Sequence, residues 1–107
     1  MDFLLSKNKM KKIYTTQGNS GCIASNRITV DGMKVGYMYR ECESDNFPDS
    51  GWRFFAGDEN EEYTDNPLNF NIFDLNTICN YDEDIVPYLD SSVGAAFIKS
   101  KDGFVED

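Results

Sequence analysis

The chain has 107 residues, 40% of them apolar, with eight Phe, six Tyr and one Trp, which suits a single folded domain and argues against disorder. Nineteen Asp and Glu against ten Lys and Arg give a net charge of −9, and there is no histidine. That charge opposes binding to nucleic acid or an anionic membrane, and the missing histidine excludes catalytic triads and His-containing zinc sites.

The charge is unevenly spread. Residues 41–98 carry fourteen Asp and Glu and one base, Arg53, and sum to −13, while the remainder sums to +4. A field of that shape favours a basic partner.

In chain order, Phe3-Leu4-Leu5 is a short apolar run followed by Lys7, Lys9, Lys11 and Lys12. A signal peptide has the opposite order, and no stretch approaches the roughly twenty apolar residues of a membrane span, so a soluble cytoplasmic protein is expected. Residues 1–20 read as a lead-in and 21–107 as one domain. Cys22, Cys42 and Cys79 are widely spaced without a CxxC, which suits reduced, mostly buried thiols.

Gln17-Gly18-Asn19-Ser20-Gly21 is a loop by composition. Asp31-Gly32 between Ile28-Thr29-Val30 and Met33-Lys34-Val35 predicts a tight hairpin, with Ile28, Val30, Met33, Val35, Tyr37 and Tyr39 on one face. A single helical turn around Ser25–Ile28 is the competing reading. Residues 41–51 form a polar loop, and Trp52-Arg53-Phe54-Phe55-Ala56 has apolar residues on both faces, which predicts a central strand covered on each side and ended by Gly57. Asp58 to Pro67 is an acidic turn or short helix, and Leu68 to Phe73 another extended piece. Asp74 caps a helix with Leu75, Ile78 and Cys79 on one face. Asp84 caps a second short turn through Leu89, Val93–Ile98 is a final strand, and Phe104 and Val105 are anchors in a polar tail. The expected fold is α+β: an antiparallel sheet with one or two short helices.

Asp58, Glu59, Glu61, Glu62, Tyr63 and Asp65 form the leading candidate site. Read as a calcium loop from Asp58, the run has Tyr63 where the turn needs Gly and Asn69 where it needs Glu, so an EF-hand is excluded. A solvated connection, a partner-facing patch or irregular oxygen-ligand cation binding remains. Asp82, Glu83 and Asp84 are a second acidic edge, explained by helix capping and patch electrostatics as well as by paired-carboxylate chemistry. No phosphate-loop motif occurs, and no cofactor is expected. Trp52 reads as a core anchor, with an interface role as the alternative. Arg53 is expected to pair with a nearby carboxylate.

Several phrases in order carry a resemblance: Val35-Gly36-Tyr37-Met38-Tyr39-Arg40-Glu41, Asp49-Ser50-Gly51-Trp52-Arg53-Phe54, Gly57-Asp58-Glu59 with Tyr63, Tyr81-Asp82, Pro87-Tyr88-Leu89-Asp90 and Val93-Gly94. From about Cys22 to Phe97 the chain resembles immunity family thirty-three of bacterial polymorphic toxin systems, once classed as a domain of unknown function. The resemblance implies a cytosolic, non-enzymatic protein that binds and blocks a cognate toxin. Ser50, Gly51, Trp52 and Gly57 come across as motif positions without assigned roles. Joined to the charge, this gives an acidic inhibitor of a toxin with a basic surface. The alternatives are a general regulatory interaction module without a toxin partner and a small metal-dependent hydrolase.

Overall fold

The computed structural model describes residues 3–16 and 18–107. Gln17, at the start of the expected 17–21 loop, lies outside the described residues, as do Met1 and Asp2. The strands are β1 (Gly21–Ser25), β2 (Tyr37–Arg40), β3 (Asp49–Phe55), β4 (Phe70–Asp74), β5 (Ala96–Ser100) and β6 (Gly103–Glu106), and the α-helical segments are α1 (Asn26–Thr29), α2 (Glu61–Thr64) and α3 (Leu75–Tyr81). Short 3₁₀ turns occupy Lys7–Lys9, Pro67–Asn69 and Glu83–Tyr88.

One six-stranded sheet runs in the order β4-β1-β3-β2-β5-β6. The α+β class holds, but the sheet is mixed: β1 and β3 are parallel, and the other neighbours are antiparallel. The reason lies in the connections. The chain lays β2 one place beyond β1, and β3 returns into the gap antiparallel to β2, so it runs with β1.

The predicted hairpin at Asp31-Gly32 is replaced by its competitor. Ser25 Oγ accepts the Arg27 N–H at 3.1 Å and starts α1. The Asp31, Gly32 and Met33 N–H groups then donate to the carbonyls of Asn26, Ile28 and Arg27. Asp-Gly therefore ends a helix here, and Ile28 and Val35 are buried while Met33 is exposed.

The core lies between one sheet face and the helices. Cys22, Ala24, Met38, Trp52, Phe54 and Phe97 supply the sheet side, and Leu75, Ile78, Cys79, Ile85 and Leu89 supply the other. Asp74 caps α3 as expected by accepting the Asn76 N–H. The cap of the Glu83–Tyr88 turn is Asp82, not Asp84: Asp82 Oδ1 accepts the Asp84 N–H at 3.0 Å. Trp52 is fully buried, stacks near Phe54 and Phe97, and donates its Nε1 proton to the Leu89 carbonyl at 3.1 Å. That is the core-anchor reading, and it leaves Trp52 no exposed surface for a partner.

Residues Lys11 to Tyr14 are strapped along α3. Asn76 Oδ1 accepts from the N–H groups of Ile13 and Tyr14, Asn80 Oδ1 accepts from Lys11 N–H, and both amides donate to the Lys11 carbonyl. Two asparagines one helical turn apart thus clasp an extended backbone.

Gly51 sits at φ +92 beside β2, and a Cβ there would fall 2.1 Å from the Glu41 carbonyl oxygen. Both the left-handed backbone and the contact require glycine. Gly51→Ala is expected to lose on the order of 1–3 kcal/mol. A lower urea midpoint at unchanged slope is the readout, and an unchanged midpoint would refute this account of the motif.

Candidate functional site

Helix α3 and the 83–88 turn lie on one side of the sheet only. Strand alternation sends Tyr37, Tyr39, Phe55, Phe70, Ile72, Ile98 and Val105 to the other side, as the pairings Tyr37↔Phe55, Tyr37↔Ile98 and Ile98↔Val105 require. These rings form a ladder. Tyr39 and Phe55 stack at 5.9 Å and 12°, Tyr37 lies 5.8 Å from Tyr39, Phe70 meets Phe55 edge-on at 5.7 Å, and Tyr63 meets Phe70 edge-on at 6.0 Å. None of the five packs on the main core. They are a separate aromatic cluster, and Ile72, Ile98 and Val105 beside it are 58%, 44% and 48% exposed.

The expected second cover of the central strand is therefore partial. Residues 41–48 close over its lower end, where Arg53 and Asp49 are buried. Arg53 donates to both oxygens of Asp49 (2.9 and 2.7 Å) and through Nε to Glu41 Oε2 at 2.7 Å. Burial pushes the Asp49 carboxyl up. Hydrogen bonds from Arg53 and from the N–H groups of Ser44 and Gly51 outweigh it and hold the group at about 2. Ser50 Oγ donates to the Gly21 carbonyl at 2.7 Å and so ties β3 to β1.

At the upper end, a groove of about 920 Å³ opens between Met33–Gly36 and Ala56–Glu59, floored by Tyr37, Tyr39, Phe55 and Ile98. The acidic connection forms its wall. Glu59 is turned into that wall: its carboxylate accepts the N–H groups of Ala56 and Gly57, both at 2.8 Å, where Gly57 ends the strand at φ +99. Asp58 is held by Arg27, which donates at 3.1 and 2.5 Å, and this pairing lowers the Asp58 carboxyl from its ordinary value. Asn60 caps α2 by accepting the Tyr63 N–H. The carboxylates of Glu61, Glu62 and Asp65 are exposed and have no partner among the described residues.

The second acidic edge is dispersed. Asp82 is 2% exposed, and its Oδ2 accepts the Val35 N–H at 3.0 Å, so its charge serves the fold. Asp84 pairs with Lys99 at 3.1 Å. Only Glu83 stands free among the described residues.

Against this geometry, a family model described as the immunity protein Imm33 domain matches residues 22–106. The chain belongs to the Imm33 family. No curated protein and no solved structure gives a significant match. The Imm33 match takes in all of the sheet but Gly21 at the start of β1, and it includes β6, which the sequence phrases do not reach. The strap on α3 precedes the Imm33 segment.

Among the described residues, no group of three or more His, Cys, Asp or Glu is placed to hold a metal ion. No helix there is long and apolar enough to cross a membrane. Two of the three free thiols are buried, and Cys42 is exposed. Burial raises the Cys22 thiol well above its ordinary value and pushes Cys79 up to about 12, which disfavours the thiolate at both.

The aromatic ladder is what sequence reasoning missed. Tyr37 and Tyr39 were available as an alternating pair, and Phe55 as a strand residue. Their pattern does not say which face of the sheet the helices cover.

Proposed function

We propose that this Imm33 protein neutralises a cognate toxin by binding it, without catalysis, through the acidic connection between β3 and β4. The observation that carries the reading is the trio of carboxylates, Glu61, Glu62 and Asp65, that have no partner among the described residues and fall within a five-residue span of an immunity-family domain. Unpaired like charges held together cost up to about 1 kcal/mol per close pair even in water, and a basic partner converts that cost into attraction. Asp58 and Glu59 support this edge by shaping it, and Tyr63 offers a ring beside it. On this reading Glu83 and Asp84 form a minor second edge, and the partner's contact surface is basic.

The test is protection. Cells expressing the toxin encoded beside this gene are expected to survive when the chain is co-expressed, and the two purified proteins are expected to form a stable complex. Survival of the toxin's full effect in the presence of the folded chain would sink the immunity reading.

A further inference from the structure

The sheet ends in two edges that are built differently. β6 carries Glu106 and is entered from Lys101-Asp102, so charge blunts it in the usual way. β4 has no charged residue from Asn66 to Phe73. The pairing shows where its backbone points. Gly21 lies opposite Asp74, yet its N–H donates away from β4 to the Pro48 carbonyl, and the Leu75 N–H donates to the Ser20 carbonyl. Hydrogen-bonded pairs alternate along an antiparallel ladder, so Asn71 and Phe73 spend their backbone groups on β1. Ile72 therefore turns its N–H and C=O away from the sheet, flanked by the Phe70 carbonyl and the Asp74 N–H. A groove of about 550 Å³ follows this edge. Phe3, Leu5, Met10 and Phe73 line it on the side of α3, where Phe3 meets Phe73 edge-on at 5.1 Å, and Ile72 and Phe47 line it on the other. Among the described residues no Lys or Arg lines it, and its one carboxylate, Asp74, accepts from Ser20 and caps α3. At the Phe70 end stands α2: the Tyr63 ring packs on Phe70, and the Asn69 amide donates to the Tyr63 carbonyl at 2.9 Å. Glu61, Glu62 and Asp65 are thus held beside that end, with no partner among the described residues.

An outward row of N–H and C=O groups selects main chain, and apolar lining on both sides selects a run of apolar residues. Charge selects the owner of that run. A second copy paired antiparallel on β4 would set its Asp74 end against the Glu61, Glu62 and Asp65 end of the first, acid against acid. A segment with a basic residue at that end gains attraction there instead. We infer that β4 receives an extended apolar segment of the toxin as a seventh strand, antiparallel to β4, with a basic residue where its carboxy-terminal end passes α2. The inference rests on the toxin-binding reading for the owner of that segment. It divides the work: the carboxylates of α2 steer, and the backbone of β4 holds.

The experiment uses the intact chain and the toxin encoded beside its gene, with amide exchange read by NMR. In the free chain the Ile72 and Asp74 N–H groups are expected to exchange fast beside slow Asn71 and Phe73, and in the complex both are expected to slow by at least about tenfold. Ile72→Pro deletes one outward donor and no ladder bond, which an edge strand tolerates. It is expected to weaken the complex about tenfold or more, while Ile72→Val binds as the unaltered chain does. Glu61→Lys/Glu62→Lys is expected to weaken the complex about tenfold with both amides still slow, and unchanged affinity would remove the basic end from the inference. A complex in which Ile72 and Asp74 exchange as they do in the free chain overturns the inference, whether or not Ile72→Pro folds, and leaves the toxin reading standing. Full affinity of a folded Ile72→Pro, or a dimer of the free chain in which both amides are already slow, overturns it as well. Failure of the unaltered chain to bind the toxin overturns the toxin reading, and this inference with it.

Discussion

Arg53→Met is expected to destabilise the protein by about 3–5 kcal/mol, a large part of the total stability of a domain this size. The loss comes from what is left behind. Asp49 is fully buried and receives two of its hydrogen bonds from Arg53, so removing the guanidinium strands a carboxylate under residues 41–48. Glu41→Gln should cost under about 1 kcal/mol, because Glu41 is half exposed and its pairing is screened by water. Acid should act at the same place. The Asp49 carboxyl is held at about 2, below its ordinary 3.8. Its contribution is complete above the unfolded value and disappears as pH falls from there through about 2. Urea midpoints at pH 7 and at pH 2.5 are expected to fall further apart for the unaltered chain than for Arg53→Met/Asp49→Leu, in which position 49 has no carboxyl to titrate. Equal pH dependence of the two chains would show that the pair does not govern acid stability.

Glu61→Lys/Glu62→Lys is expected to slow capture of the toxin by about 10–100-fold at low salt. Both side chains are exposed and have no partner among the described residues, so the substitution removes field without removing packing. Two signatures separate this from damage to the fold. The rates of the two chains should converge as salt approaches 1 M, where screening acts within about 3 Å. The melting temperature should hold or rise, since mutual repulsion among Glu61, Glu62 and Asp65 is relieved. Stopped-flow association across a salt series reads the first, and calorimetry the second. A variant that captures the toxin at the unaltered rate would remove the acidic connection from the interface.

Much of this arrangement is legible in the chain itself, for local reasons. Asp74 before Leu75, Ile78 and Cys79 specifies α3 because the cap and the apolar stripe coincide. The buried strand through Trp52 and Phe54 is marked by bulk and by Gly57. The hairpin prediction fails because Asp-Gly between apolar residues satisfies two structures, and the choice between them was made by Ser25, whose hydroxyl starts a helix three residues before Ile28. Strand β1 passes unnoticed because Cys22, Ala24 and Ser25 are small and carry no alternating signature. Strand β6 is hidden by the polar Lys99-Ser100-Lys101-Asp102 stretch, although Ser100 and Gly103 pair across a two-residue connection. For the site, composition locates the carboxylates, but only the fold separates them. Glu59 and Asp82 are spent on backbone N–H groups, Asp58 on Arg27 and Asp84 on Lys99, which leaves Glu61, Glu62, Asp65 and Glu83 uncommitted among the candidate site residues.

The position of β1 has a consequence for how the molecule comes into being. It leaves the ribosome before either of its sheet neighbours, β3 and β4, and both join it over more than twenty intervening residues. Such distant pairings make for slow closure, and a nascent chain has no central strand pair to settle on until β3 has been made. The sheet's centre can therefore close only once residues 49–55 have been made, so the strand order sets when during synthesis the fold can first assemble.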